Sequence, residues 1–69
     1  MLIVKPRLTE IREERGLTQL QLSEMSGVPQ GSISRFDSNS RHEATHLFAI
    51  ARALGISVEE LFTVNEAEE

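Results

Sequence analysis

Residues 42 to 46 read His-Glu-Ala-Thr-His. This is the H-E-x-x-H spacing in which two imidazoles on one helix face hold zinc and the glutamate between them serves as general base in peptide hydrolysis. The spacing is right and the context is not. His42 falls in a loop or at the very start of the helix that follows, so the two rings need not share a face. The chain has only two histidines, so a third ligand would have to be a carboxylate such as Glu59 or Glu60. No segment is left over to wall a substrate cleft. A zinc protease is therefore rejected, and adventitious zinc is the most the motif offers. No catalytic residue, metal or cofactor is assigned.

The elements that must position these residues are few. Sixty-nine residues make a single domain, 1–69, and a chain so short buries only about 60% of its unfolded surface. Without cysteine no disulfide staples that core, so tight helix packing or a partner subunit must stabilise it. A hydrophobic content of 39% with 26% charged residues is ordinary for a soluble globular domain. The opening MLIVKPRL is too short an apolar run for a secretion signal or a membrane span, and a cytoplasmic location is expected. The net charge of −4 is uneven. Residues 1–42 carry six Lys and Arg against five Asp and Glu, whereas residues 43–69 carry one against six. Overall acidity weighs against tight non-specific DNA binding but permits a local basic face.

Glycine punctuates the helices. Gly16, Gly27 and Gly55 each close an apolar-periodic run. Thr18 with Gln21, and Ser57 with Glu60, fit the S/T-x-x-E/Q capping box. Pro29 suits a first helical turn, and Asn39 is expected to end that helix in a left-handed conformation. The spacing predicts helices at about 6–15, 19–26, 29–37, 44–54 and 58–62. Apolar positions at i, i+3, i+4 spacing give a single core from Leu8, Ile11, Leu22, Met25, Ile33, Phe36, Leu47, Ile50, Ala51, Leu54, Val58, Leu61 and Phe62. The β-prone runs at 2–4 and 62–64 suit a two-stranded ribbon joining the ends. The acidic tail, 65–69, reads as solvated.

Residues 18–37, TQLQLSEMSGVPQGSISRFD, form a short helix, a turn around Gly27-Val28 and a second short helix, with Leu22, Val28, Ile33 and Phe36 facing inward. That is the arrangement of a helix-turn-helix. Together with IREERGLTQ before it and LFAIARALGISVEELF after it, the stretch resembles the Cro/repressor-type (XRE) family of helix-turn-helix DNA-binding domains over residues 7 to 62. The resemblance implies an all-α, compact five-helix, lambda-repressor-like domain whose recognition helix, about 29–37, lies in the major groove. It implies base readout by Gln30, Gly31, Ser34 and Arg35, and phosphate contacts from Gln19, Ser32, Arg41 and His42. A glutamine there suits adenine N6/N7, and an arginine suits guanine O6/N7. Arg12 and Asp37 match the family's buried ion pair, with Asp in place of the usual Glu.

Plainer readings stand beside these. Gln19, Ser32 and Ser34 can be solvated helix residues. Arg35 can cover the core edge with its stem or pair with Asp37 or Glu24. Gly31 is either a point of close approach to DNA or a tolerated weak spot in the helix. His42 can be an ordinary loop residue, and His46 has no assigned role. Ser23 replaces the family's common Ala, so its hydroxyl must find a carbonyl. Asn39 replaces the usual Gly in a loop poor in basic residues. The reading is a double-stranded-DNA-binding transcriptional regulator without catalysis, acting as a homodimer through the apolar run Val58–Val64. The alternative is an antitoxin or another module that binds a protein partner, such as a toxin or a regulatory peptide. No membrane association is expected.

Overall fold

A computed structural model describes residues 1–67 of the chain. In order, these form β1 (Leu2–Pro6), α1 (Leu8–Glu14), α2 (Gln19–Ser26), α3 (Gln30–Ser34), a 3-10 turn (Phe36–Ser38), α4 (Ala44–Leu54), a second 3-10 turn (Glu59–Leu61) and β2 (Phe62–Glu66). The described residues thus hold four α-helices, not five. The fifth expected helix is a single 3-10 turn, because Phe62 turns to extended backbone and enters β2. The expected helix at 29–37 is likewise split at Arg35, where Ser38 N–H, Asn39 N–H and the Ser38 hydroxyl all reach Arg35 O. Tightening of the last turn in this way satisfies carbonyls that a helix end leaves free. Asn39 is extended (φ −90°, ψ 143°), not left-handed.

The ribbon is antiparallel, pairing Leu2 with Glu66, Val4 with Val64 and Pro6 with Phe62. Arg7 N–H donates to Leu61 O and Ala67 N–H to Met1 O, so the ladder bonds fall on the odd-numbered residues of β1. Pro6 sits on a non-bonded pair and its missing N–H breaks nothing. The same pairing explains why α1 starts at Leu8 and not at Pro6, and it draws Asn65 and Glu66 out of the expected solvated tail. Glu68 and Glu69, the rest of that tail, lie outside the described residues.

The core is Leu8, Ile11, Leu22, Val28, Ile33, Phe36, Ile50, Ala51, Leu54 and Leu61, with Leu47, Val58 and Phe62 packed against it. Met25 is not part of it and stands 52% exposed. The reason lies in α2, whose inward stripe is Gln19, Leu22, Ser23 and Ser26, at i, i+3, i+4 and i+7. Three of those four are polar, so the apolar residues Leu20 and Met25 are left outside.

Polar bonds set the helix ends. Thr18 Oγ1 accepts from Gln21 N–H and Gln21 Oε1 from Thr18 N–H, which completes the box at α2. The box expected at Ser57 forms only by half: Glu60 accepts from Ser57 N–H at 2.7 Å, which holds its carboxyl below the ordinary value of 4.5, but Glu60 N–H donates to the backbone Ser57 O and not to the hydroxyl.

Candidate nucleic-acid interface

The turn between α2 and α3 is held from both sides. Ser23 Oγ donates to Val28 O at 2.6 Å, the carbonyl its hydroxyl required. Ser26 Oγ donates to Leu22 O and accepts from Val28 N–H. Gly27, at φ 77°, makes the left-handed corner between them, a conformation open to glycine at no steric cost. Val28 is then buried, and Pro29 precedes the first residue of α3 with extended ψ. Ser26 carries no sequence signal for this role, since a serine bonding back to the i−4 carbonyl looks like any helical serine.

That corner fixes the face that α3 presents. Ile33 and Phe36 are buried beneath it, while Gln30, Ser34 and Arg35 are exposed and Gly31 and Ser32 half-buried. The expected base-reading residues therefore share the outward side of one short helix. Gln19 is the first residue of α2, and its N–H lies in the first turn, where helical N–H groups lack carbonyl partners.

Five of the six arginines, all but Arg52 on α4, fall into two sets. Arg7 donates to Glu60 O and to Glu10, Arg12 to Leu17 O at 2.8 Å, and Arg15 to Leu54 O at 2.6 Å, at the C-terminal end of α4. These three hold elements together. The side chains of Arg35 and Arg41 make no hydrogen bond or ion pair among the described residues, so neither pairing offered for Arg35, with Asp37 or with Glu24, is made. Both line one cleft of about 150 Å³ between α3 and α4, with Ser32, Asn39, His42 and His46.

Arg12 and Asp37 do not pair. Asp37 instead caps α1, its two carboxylate oxygens accepting from Leu8 N–H at 2.8 Å and Thr9 N–H at 3.0 Å. The preceding residue, Arg7, offers α1 no side-chain cap, and a carboxylate is favoured at the positive end of a helix. Asp37 thus still ties the 3-10 turn that follows α3 to α1, through backbone donors and not through a guanidinium.

His42 is held as well. Its Nε2 lies 2.8 Å from Phe36 O, and a carbonyl can only accept, so that nitrogen carries the hydrogen. The ring lies 4.2 Å from Phe36 and 5.7 Å from Phe62, centroid to centroid. A phosphate could be met only through Nδ1. His42 also precedes α4, which begins at Ala44, whereas His46 is on α4 with its Nε2 3.4 Å from Glu43. The two imidazoles of the H-E-x-x-H run are therefore not on one helix face. Among the described residues no three His, Asp or Glu side chains gather as a metal would need.

A sequence profile described as helix-turn-helix, of the XRE type, matches residues 8–61. The chain belongs to the XRE-type helix-turn-helix family. No curated protein and no solved structure matches it. In this XRE-type domain the profile spans α1 through the second 3-10 turn, and the ribbon strands lie outside it. The family is one of DNA-binding regulators, and no described helix is long and apolar enough to cross a membrane.

Proposed function

We propose that this XRE-type domain binds duplex DNA sequence-specifically through α3 and regulates transcription, with no catalytic step. The observation that carries the reading is the division of the arginines. Three are committed to carbonyls within the fold. Of the three whose side chains make no bond among the described residues, Arg35 and Arg41 border α3 and the cleft beside it, and Arg52 stands in the last turn of α4. Arg35 with Gln30 and Ser34 reads base edges, and Gly31 between them puts no side chain in the way. Ser32, Arg41 and the N-terminus of α2 at Gln19 take phosphates, where helix N–H groups add to side-chain donors. His42 adds a phosphate contact through Nδ1 when protonated.

Two copies acting together would place their α3 helices about 34–36 Å apart on one face of the duplex and read a roughly palindromic site. The free apolar surface suits such pairing, though not where the run Val58–Val64 alone would put it. Leu61 is buried and Val58 and Phe62 are half-buried. Of the exposed apolar residues of the ribbon, Leu2, Val4 and Val64, at 60%, 53% and 43%, share one face by the register, and Ile3, at 38%, is on the other.

A second reading, a module that grips a protein partner such as a toxin or a regulatory peptide, draws on Leu20, Met25 and Phe48, each more than half exposed. Selection from a random duplex pool at low salt, run beside Arg35→Ala, separates the two. An enriched two-fold motif that loses a guanine preference in the variant supports DNA readout. Weak, salt-sensitive binding with no motif in either protein refutes it and favours the partner, to be sought by co-purification.

A further inference from the structure

Glycine inside a short helix is a local weakness, and Gly31 is the second residue of a helix only five residues long. Its φ is not in the left-handed region, so the backbone does not demand glycine there. What occupies the space does. A Cβ built on Gly31 would lie 3.3 Å from Arg35 Nη1, 3.4 Å from Nη2 and 3.7 Å from Cζ. The two terminal nitrogens are nearest, so the fork end of the arginine, and not its stem, lies against the place a methyl group would take. Arg35 is four residues further on, and helical side chains lean back over the preceding turn. No carboxylate pulls the guanidinium there among the described residues, so the missing side chain itself makes the room.

We infer that Gly31 is a positioning residue: its lack of a side chain lets the Arg35 guanidinium lie back along α3 to the helix's N-terminal end, and so sets which base step the arginine reaches. The inference rests on the DNA-binding reading above, in which the N-terminal part of the helix meets base edges. An alanine methyl at position 31 would sit closer than ordinary contact to Nη1 and at the limit of it to Nη2. The fork must then move out by a few tenths of an ångström or swing to another rotamer, and a bidentate grip on O6/N7 tolerates neither well. Gly31 itself need touch no base.

The test uses the full chain as wild type, Gly31→Ala, Arg35→Ala and the double variant, in duplex selection and in thermal unfolding. Gly31→Ala is expected to weaken the guanine preference that Arg35→Ala removes by about tenfold. It should leave binding to an unrelated duplex unchanged and, with the flexible Arg35 end moving aside, raise the melting temperature by about 2–4 °C, part of the gain alanine brings to a helix interior. In the Arg35→Ala background it should not alter base preference further. A gain in stability with a loss of selectivity cannot come from damage to the fold. Gly31→Ala that melts higher yet keeps the wild-type motif overturns the inference and leaves DNA readout standing. So does Gly31→Ala that melts lower and loses binding to every duplex. Failure of the wild-type protein to enrich any motif overturns the DNA reading and the inference with it.

Discussion

Removing the Asp37 carboxylate tests whether this acid is a helix cap or half of an ion pair. Its two oxygens accept from consecutive α1 amides at 2.8 and 3.0 Å, and α1 has no other side-chain cap. Loss of a capping side chain costs about 0.5–2 kcal/mol, and charge strengthens these bonds. Because Asp37 is an exposed residue, solvent screening argues for the middle of that range, about 1–1.5 kcal/mol. In so small a domain each kcal/mol moves the melting temperature by about 4–8 °C, so Asp37→Ala should melt roughly 4–12 °C lower. Asp37→Asn should fall between wild type and Asp37→Ala, since its amide oxygen can keep one of the two bonds while its NH2 cannot accept the other. Urea and thermal unfolding of Asp37→Ala, Asp37→Asn, Arg12→Met and the Arg12→Met/Asp37→Ala double variant complete the experiment. The two single effects should add to within about 0.5 kcal/mol, as for residues without a shared bond. A coupling above about 1 kcal/mol, with Asp37→Asn as damaged as Asp37→Ala, would restore the ion pair and refute the cap.

Three further outcomes follow from the same bonds. Ser26→Ala, which removes both the bond to Leu22 O and the acceptor for Val28 N–H, should lower stability by about 1–2 kcal/mol in urea unfolding. An unchanged midpoint would show that the turn does not depend on it. Arg41→Ala should weaken binding evenly across duplex sequences and reduce the slope of log affinity against log salt by about one. A change confined to one base position would contradict its phosphate role. Glu60 is held below its ordinary value chiefly by the Ser57 N–H. Its contribution is therefore present above the unfolded-state value and lost as the pH falls through the lower folded-state one. Wild type should lose more stability than Glu60→Gln as the pH drops below 4.5, and parallel curves would count against the bond.

Much of this fold is legible in the residues. The glycine stops, the box at Thr18 and the periodicity of α4 are local signals, and local signals set α2 and α4 to the residue. The ribbon was also readable, because two short β-prone runs at the two ends of a small helical chain have little else to pair with. What escaped reading depends on distant partners. No pattern near Asp37 tells that its carboxylate will meet amides at residues 8 and 9. Nothing around His42 indicates that Phe36 O will hold its Nε2. Met25 misled for another reason: a hydrophobic-periodicity rule looks for apolar residues inside, and α2 turns Ser23 and Ser26 inward to build the turn. The side chains that the family resemblance marks on α3 do share one outward face, but which arginines remain free to serve them emerges only from the three-dimensional bonds of Arg7, Arg12 and Arg15.

The ribbon gives the molecule a mechanical asymmetry. At its tip the Met1 amine lies 3.3 Å from Ala67 O, and at its base Arg7 N–H bonds Leu61 O. Tension applied between those two tip residues would act across the strands, loading one pair of ladder bonds at a time, as in opening a zipper. Load would first reach the helical part where Phe62, near the base of the ribbon, packs against Phe36 and His42. Anything tethered at that pole can pull on the ribbon without at first disturbing the turn between α2 and α3.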